Sequence, residues 1–356
     1  MATVAVGDGP KVVNVPEIVV PSHQGNFPLD SAVVEVQWNS KLTLLCFQAL
    51  PKGDTLISAE RYGNSAWSST ARITVQKEDG RLHDYFAKII TGELAEARVL
   101  GEYSCMLELW KTMPSIAPSH EPTGDATAWK PPATSSIDHR PPDAVKLGAK
   151  IAELHRVSKS PTGQFGFHVT PYDGKLPLVA DWDPSWASFY GKLLQGVYQH
   201  DVGVNGYWKE LDDAMELTLT KVVPRLLGPL EEDGRTVKPC LIHGDLWEEN
   251  IGTEIRTGEL YIYDSCAYYA HHEMAIGMWR VDHHHMKAKE YRNHYFQNYE
   301  PDEPVEECDD RNRLYAIKER IMYSAHVPGS KAREQALEDM LYLIEQYVEE
   351  EETPML

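Results

Sequence analysis

Apolar residues fall into two regimes along this chain. In the first third they form short runs of strand type. Leu56–Gly63 and Ala71–Gln76 read as two strands joined by a polar connection, and Asp84–Ile90 reads as a third. From Glu102 onward the spacing turns helical, with Met106, Leu109 and Trp110 at i+4, i+7 and i+8. The same spacing recurs at Ala144, Leu147, Ile151 and Leu154, then at Leu211, Ala214 and Leu217, and again at Val222, Val223, Leu226 and Leu227. Pro224 should kink or end that last pattern, because it lacks the N–H a helix needs. A terminal helix is predicted from Leu337, Met340, Leu341, Ile344, Tyr347 and Val348. Two short strands, Cys240–Ile242 and Leu260–Tyr263, interrupt the helical part. The pattern predicts an α+β protein with a small strand-rich lobe and a mostly helical large lobe.

Two segments depart from this plan. The residues before about Leu50 are punctuated by proline and glycine and read as an extension, with the apolar run Leu42–Phe47 as a candidate for docking on the small lobe. Pro118–Pro142 holds five prolines from Pro118 to Pro141 and almost no β-branched apolar run, which argues against central strands there.

Composition narrows the function classes. The net charge of −20 argues against nucleic-acid binding, which needs basic clusters. No run approaches the roughly 18 apolar residues of a spanning helix, so no membrane partner is expected. The opening Met1–Asp8 lacks a basic, then apolar, leader pattern. Cys46, Cys105, Cys240, Cys266 and Cys308 are odd in number and lack C-x-x-C pairing, which fits a reducing compartment, the cytoplasm.

The candidate chemistry sits in Leu241–Gly252. An apolar lead delivers His243, Gly244 and Asp245 onto a loop, Asn250 follows Asp245 by five positions, and the next strand ends on Asp264. Acid, amide and acid in that order is the layout of kinase-type phosphoryl transfer. Asp245 is the candidate base for an attacking hydroxyl, and Asn250 and Asp264 are candidate ligands of Mg2+ beside the phosphates of ATP. Magnesium takes hard oxygen donors, so one carboxylate and one amide carbonyl suffice. Upstream, Lys88 lies within a strand and Glu102 on the following helix, the pair that holds nucleotide phosphates in kinases. The connection carrying Gly63, Asn64 and Ser65 is a candidate phosphate hairpin, although it is not a G-x-G-x-x-G loop. Trp247 stands beside the candidate base, where an indole face suits a sugar; a packing role is equally natural for it. His271, His272 and Glu273 are candidates for orienting the acceptor or bracing Asp264. No second histidine follows at the H-E-x-x-H distance, so zinc-hydrolase chemistry is not supported.

With these residues in place, the chain resembles the fructosamine/ketosamine 3-kinases, particularly their fungal protein-ribulosamine 3-kinase-like branch, within the aminoglycoside-phosphotransferase-like kinases. The resemblance runs from about Leu50 to Tyr347. It rests on Tyr62–Trp67, Lys88, Glu102, Leu147–His155, Ser160–His168, His243–Trp247, Tyr263–Glu273 and Asp309–Tyr315. It implies a two-lobed protein-kinase-like fold: an N-terminal extension at 1–49, a small lobe at 50–142, a large lobe at 143–348 and an acidic tail at 349–356. It also implies ATP- and Mg2+-dependent phosphorylation of the 3-hydroxyl of ketosamine (ribulosamine or fructosamine) adducts on protein lysines, which promotes deglycation. Substrate contacts would come from Trp247, His271 and Glu273. Partners would be glycated protein lysines or small ketoamines, and the chain would act as a monomer. Measured against that family, the small lobe is expected to lack two strands around its hinge. Ser265 and Ala275 also depart from the usual residues near the metal aspartate, and the phosphate hairpin has no cysteine. Two alternatives stand beside this reading: a small-molecule kinase of aminoglycoside or choline type, and a catalytically impaired pseudokinase or binding module.

Overall fold

The computed structural model describes residues 2–3, 53–61, 67–90, 92–123, 126–130 and 137–348. The small lobe is built on a meander of three strands, Thr55–Arg61, Ser69–Gln76 and Leu82–Ile89, each antiparallel to the next. Alternation sets its faces: Ala71, Ile73 and Val75 are buried, while Arg72 and Gln76 between and beyond them reach solvent. The turn into the third strand closes through Lys77 and Arg81, with Gly80 at φ +82° where an L side chain would be strained. The register places Lys88 opposite Thr70.

The expected loss of two strands is not what the chain does. Ser119–Thr123 and Ala126–Lys130 form a hairpin that joins the same sheet, which therefore has six strands. The prolines do not prevent these strands, for a topological reason. Pro122 lies in the outermost strand, where one edge makes no ladder bonds and a missing N–H costs little. The extension also contributes: Ala2–Thr3 lies between Leu82–Ile89 and Ala126–Lys130, parallel to the first and antiparallel to the second. The Leu42–Phe47 run lies outside the described residues.

One long helix, Ala95–Thr112, links the lobes. Cys105, Met106 and Leu109 are buried in the common core, and Gly101 lies so close to the large lobe that a Cβ would come within 2.7 Å of the Thr170 carbonyl. The large lobe is carried by Ala144–Val157, Trp186–Asn205, Lys209–Leu217, Lys289–Asn298, Cys308–His326 and Ala332–Tyr347. Asp143 caps the first of these by accepting the Lys146 N–H at 2.9 Å. Pro224 acts upstream of itself. The helix from Lys209 widens into a π-helical stretch at Thr218–Val222 before Val223–Leu227 resumes, which accommodates the pyrrolidine ring without ending the run. In the terminal helix Ala336, Met340 and Leu343 face inward, and Leu341 points out at 53% exposure.

Two short ladders position the loops that carry Asp245 and Asp264. Cys240–Ile242 pairs with Tyr268–Ala270, and Ile251–Glu254 pairs with Leu260–Ile262 and with Ile137–Asp138. Cross-bonds from Cys266 N–H to the His243 carbonyl (3.1 Å) and from Tyr263 N–H to the Asn250 carbonyl (3.1 Å) then hold the two loops side by side. A close helix contact places Gly148 on the backbone of His294 and Tyr295, where a Cβ would sit 2.6 Å from a carbonyl carbon. Backbone cannot swing aside, so Gly148→Ala is expected to cost about 1–3 kcal/mol by overpacking and to lower the thermal midpoint. An unchanged midpoint would show that these helices slide freely.

Candidate active site

Lys88 is the centre of the site. Its ammonium lies 2.8 Å from Glu102 Oε2 and also touches Asp264 Oδ1, so a strand, a helix and a large-lobe loop meet on one cation. Burial alone would disfavour the charge, but Glu102 and Asp264 outweigh it and hold Lys88 above its usual range. The ammonium has three donors, and these contacts engage two of them. Asp264 occupies the left-handed region at φ +58°, a conformation aspartate tolerates better than most residues. That turn leaves its side chain 41% exposed beside the buried lysine.

The Asp245 loop is fixed from below. Gly244, at φ +84°, passes against the Cys266 carbonyl, and a Cβ would lie 2.7 Å from Cys266 Sγ. Only glycine satisfies both demands. His243 accepts the Asp245 N–H through Nδ1 (3.3 Å), so its Nε2–H donates to the Tyr263 carbonyl (3.0 Å). Burial pushes His243 down to about 4, which keeps this strut neutral. Asn250 donates its amide to Asp245 Oδ2 (2.8 Å) and to the Asp245 carbonyl (2.9 Å). The amide nitrogen is thereby occupied on the loop, and the oxygen is left as the donor for a cation. Asn250 and Asp264 together form a hard oxygen pair of the kind magnesium prefers.

Asp245 sits in a negative field. Burial comes first, then Asp173, Glu319 and Asp264, and together they raise its carboxyl well above the usual range, with Lys318 opposing. Lys318 is completely buried, 3.1 Å from Glu319 Oε2 and 3.7 Å from Asp173 Oδ2, and His326 Nε2 lies 3.3 Å from Asp173 Oδ1. Sequence reading missed this group. A signal was available: Lys318 and Glu319 sit between Leu314, Ile317 and Ile321, in a helix whose buried positions run almost all round.

A clasp closes the lobes next to this group. Arg98 donates to the Gly174 carbonyl and to the Trp67 carbonyl, both at 3.1 Å. Trp67 packs on the His326 ring at 4.8 Å between centroids, and the Lys175 ammonium lies 4.7 Å from the Trp67 ring. Gly63, Asn64 and Ser65 of the candidate phosphate hairpin lie outside the described residues. Trp247 is partly buried against the core, with its ring 5.4 Å from that of His284.

Two candidate substrate residues have a different role. His271 and Glu273 are both fully buried. His271 meets the Tyr315 hydroxyl at 2.8 Å and Asp302 Oδ2 at 3.1 Å. Glu273 accepts two bonds from Arg311, both at 2.8 Å, and the Asp302 N–H at 3.0 Å. No atom of either is offered to an acceptor; the buried Arg311 guanidinium claims the carboxylate, and the packed core excludes substrate.

The fold and the site together define a class: a two-lobed fold of kinase type, with a lysine–glutamate pair in the small lobe and an Asp-x4-Asn loop facing a second aspartate in the large one. Comparison with known proteins gives the particular family. The fructosamine kinase family model matches residues 79–346, and the chain belongs to that family. Protein-ribulosamine 3-kinase of Oryza sativa subsp. japonica is 35% identical over 136 residues, 38% of this chain and 37% of the rice protein. The corresponding Arabidopsis thaliana enzyme is 35% identical over 133 residues, 37% of this chain and 38% of its own length. Both relatives are chloroplastic by name, and the matched part spans under two fifths of each. A solved structure described as a candidate fructosamine-3-kinase from Thermobifida fusca superposes with a TM-score of 0.64 at 17% identity, covering 86% of this chain and 99% of the other, which establishes the fold. Among the described residues no helix is long and apolar enough to cross a membrane.

Two outcomes test the electrostatics. Because the folded pKa of Asp245 lies above the unfolded one, its favourable contribution is present below the ordinary carboxylate pKa and is lost as pH rises through the folded value. Asp245→Asn should therefore melt higher than wild type at pH 8, with the difference closing towards about pH 4. An equal or lower midpoint at pH 8 would mean that the negative field is not there. Glu273→Ala should cost about 3–5 kcal/mol by stranding Arg311, and a Glu273→Met/Arg311→Leu pair should recover much of it in a chemical denaturation series.

Proposed function

We propose that the chain transfers the γ-phosphoryl group of ATP to the 3-hydroxyl of ketosamine adducts, ribulosamine or fructosamine, on protein lysines or small ketoamines, so that the adduct is destabilised and released. The observation that carries the reading is the convergence of Lys88, Glu102, Asp245, Asn250 and Asp264, scattered over 177 positions, into one hydrogen-bonded group. Family membership supports the acceptor, since the relatives in rice and Arabidopsis thaliana are named for ribulosamine.

The residues divide the work. Lys88 donates to the nucleotide phosphates and is kept charged and aimed by Glu102. Asp245 takes the proton of the acceptor hydroxyl as the new O–P bond forms; its raised pKa makes it a stronger base than an ordinary carboxylate. Asn250 holds Asp245 in place through its amide N–H. Magnesium, held by the Asn250 amide oxygen and the Asp264 carboxylate, would neutralise charge on the phosphates. Trp247, adjoining the base loop, offers an indole face to the sugar.

The pseudokinase alternative drew on a missing pair of hinge strands, and both strands are present. The reading is tested by ATP consumption with magnesium on ribulosyl-lysine and fructosyl-lysine peptides. Turnover should appear with at least one ketoamine and fall by about 10²–10⁴-fold in Asp245→Asn. Full turnover in that variant would remove Asp245 as the base. Turnover of choline or an aminoglycoside, with none of either ketoamine, would replace the proposed acceptor.

A further inference from the structure

Directly after the Tyr268–Ala270 strand, the chain places His271 and His272 against Asp302, and this group has no part in the chemistry above. Both histidine Nε2 atoms point at one oxygen, Asp302 Oδ2, at 3.1 Å from His271 and 3.7 Å from His272. We infer that His271, His272 and Asp302 form a binding site for one transition-metal cation, zinc above others, distinct from the Asn250–Asp264 pair.

The geometry suits such an ion. A tetrahedral centre with bonds of about 2.0–2.1 Å separates neighbouring ligand atoms by roughly 3.3 Å, a value the two observed distances bracket. Two imidazoles on one tetrahedral ion hold their ring centroids about 5 Å apart by the same bond lengths. Here the centroids are 4.8 Å apart, with planes at 79°. The outer nitrogens are also set: His271 Nδ1 lies 2.8 Å from the Tyr315 hydroxyl and His272 Nδ1 lies 2.9 Å from that of Tyr295. Ligating histidines usually have such a partner on the far nitrogen.

The second observation is His272 Nε2, which is buried and has no hydrogen-bond partner among the described residues. At 3.7 Å from Asp302 it is beyond hydrogen-bond range. The Tyr295 hydroxyl also meets His155 Nδ1 at 2.7 Å. If His272 Nδ1–H donates to Tyr295, the tyrosine proton serves His155, and the His272 Nε2 lone pair faces a carboxylate. A cation between them turns that repulsion into two bonds. Glu273 is adjacent but committed to Arg311 through both oxygens, so it is not a ligand. The histidine side chains are 0% and 3% exposed while Asp302 is 39% exposed, so an ion would reach the buried imidazoles from the Asp302 side. Two imidazoles and one carboxylate select zinc or a neighbouring first-row ion, whereas magnesium takes oxygen donors. Bound there, the ion would tie the strand behind the catalytic loop to the 299–304 segment.

The test titrates the chelator-treated full chain with Co2+. The expected result is one equivalent per chain with intense tetrahedral visible absorption, displaced by Zn2+, and a higher thermal midpoint with Zn2+. Affinity should fall at least tenfold in both His272→Gln and Asp302→Asn, and the absorption should persist in Asp264→Asn. Near-UV circular dichroism checks folding; Asp302 reaches the surface, so its variant decides if His272→Gln does not fold. Absence of tetrahedral absorption in the wild-type chain, or a signal that survives Asp302→Asn, overturns the inference and leaves a hydrogen-bonded His–Asp group.

Discussion

One buried ammonium organises this molecule. Lys88 comes from the third strand of the small-lobe meander, Glu102 from the linking helix and Asp264 from a large-lobe turn, and the three meet within ion-pair distance. A lysine this enclosed is costly to bury unless it is paired, so the strand, helix and turn are constrained to the mutual placement that keeps both carboxylates on it. The same placement sets Asp264, 41% exposed, beside Asn250, the pair proposed above to hold the metal of a nucleotide. Structure and chemistry therefore rest on the same charge pair.

Around the candidate base the balance runs the other way. Asp245, Asp173, Glu319 and Asp264 crowd four carboxylates near a single buried Lys318. Burial and like charges in a poorly solvated space raise the Asp245 carboxyl well above the usual range. A carboxylate perturbed in this way by burial and like charges is typical of functional sites, in line with the base role proposed for Asp245. The Arg98–Trp67–Gly174 clasp adjoins this group and holds the small lobe down over it.

Much of this was legible in the chain before any coordinates. The strand at Ala71–Gln76 and the helical spacing at Leu147, Ile151 and Leu154 depend on near neighbours, and each appears as expected. The errors share a cause. Prolines in the 118–142 segment argue against central strands, but Pro122 lies in the strand at the sheet edge, where that objection does not apply. The residue types of His271 and Glu273 suit a substrate contact, but Tyr315 and Arg311, far along the chain, bond them in the buried core.

The sequence by itself determined the two-lobed α+β plan and the identities of Lys88, Glu102, Asp245, Asn250 and Asp264, because periodicity and motif spacing are local properties of a chain. Only the tertiary structure decided the hairpin at Ser119–Lys130, the burial of Lys318 among carboxylates and the facing of His271 and His272 onto Asp302. Those features depend on which distant segments share one low-dielectric interior, and the free energy of a buried charge is set by neighbours that sequence order does not reveal.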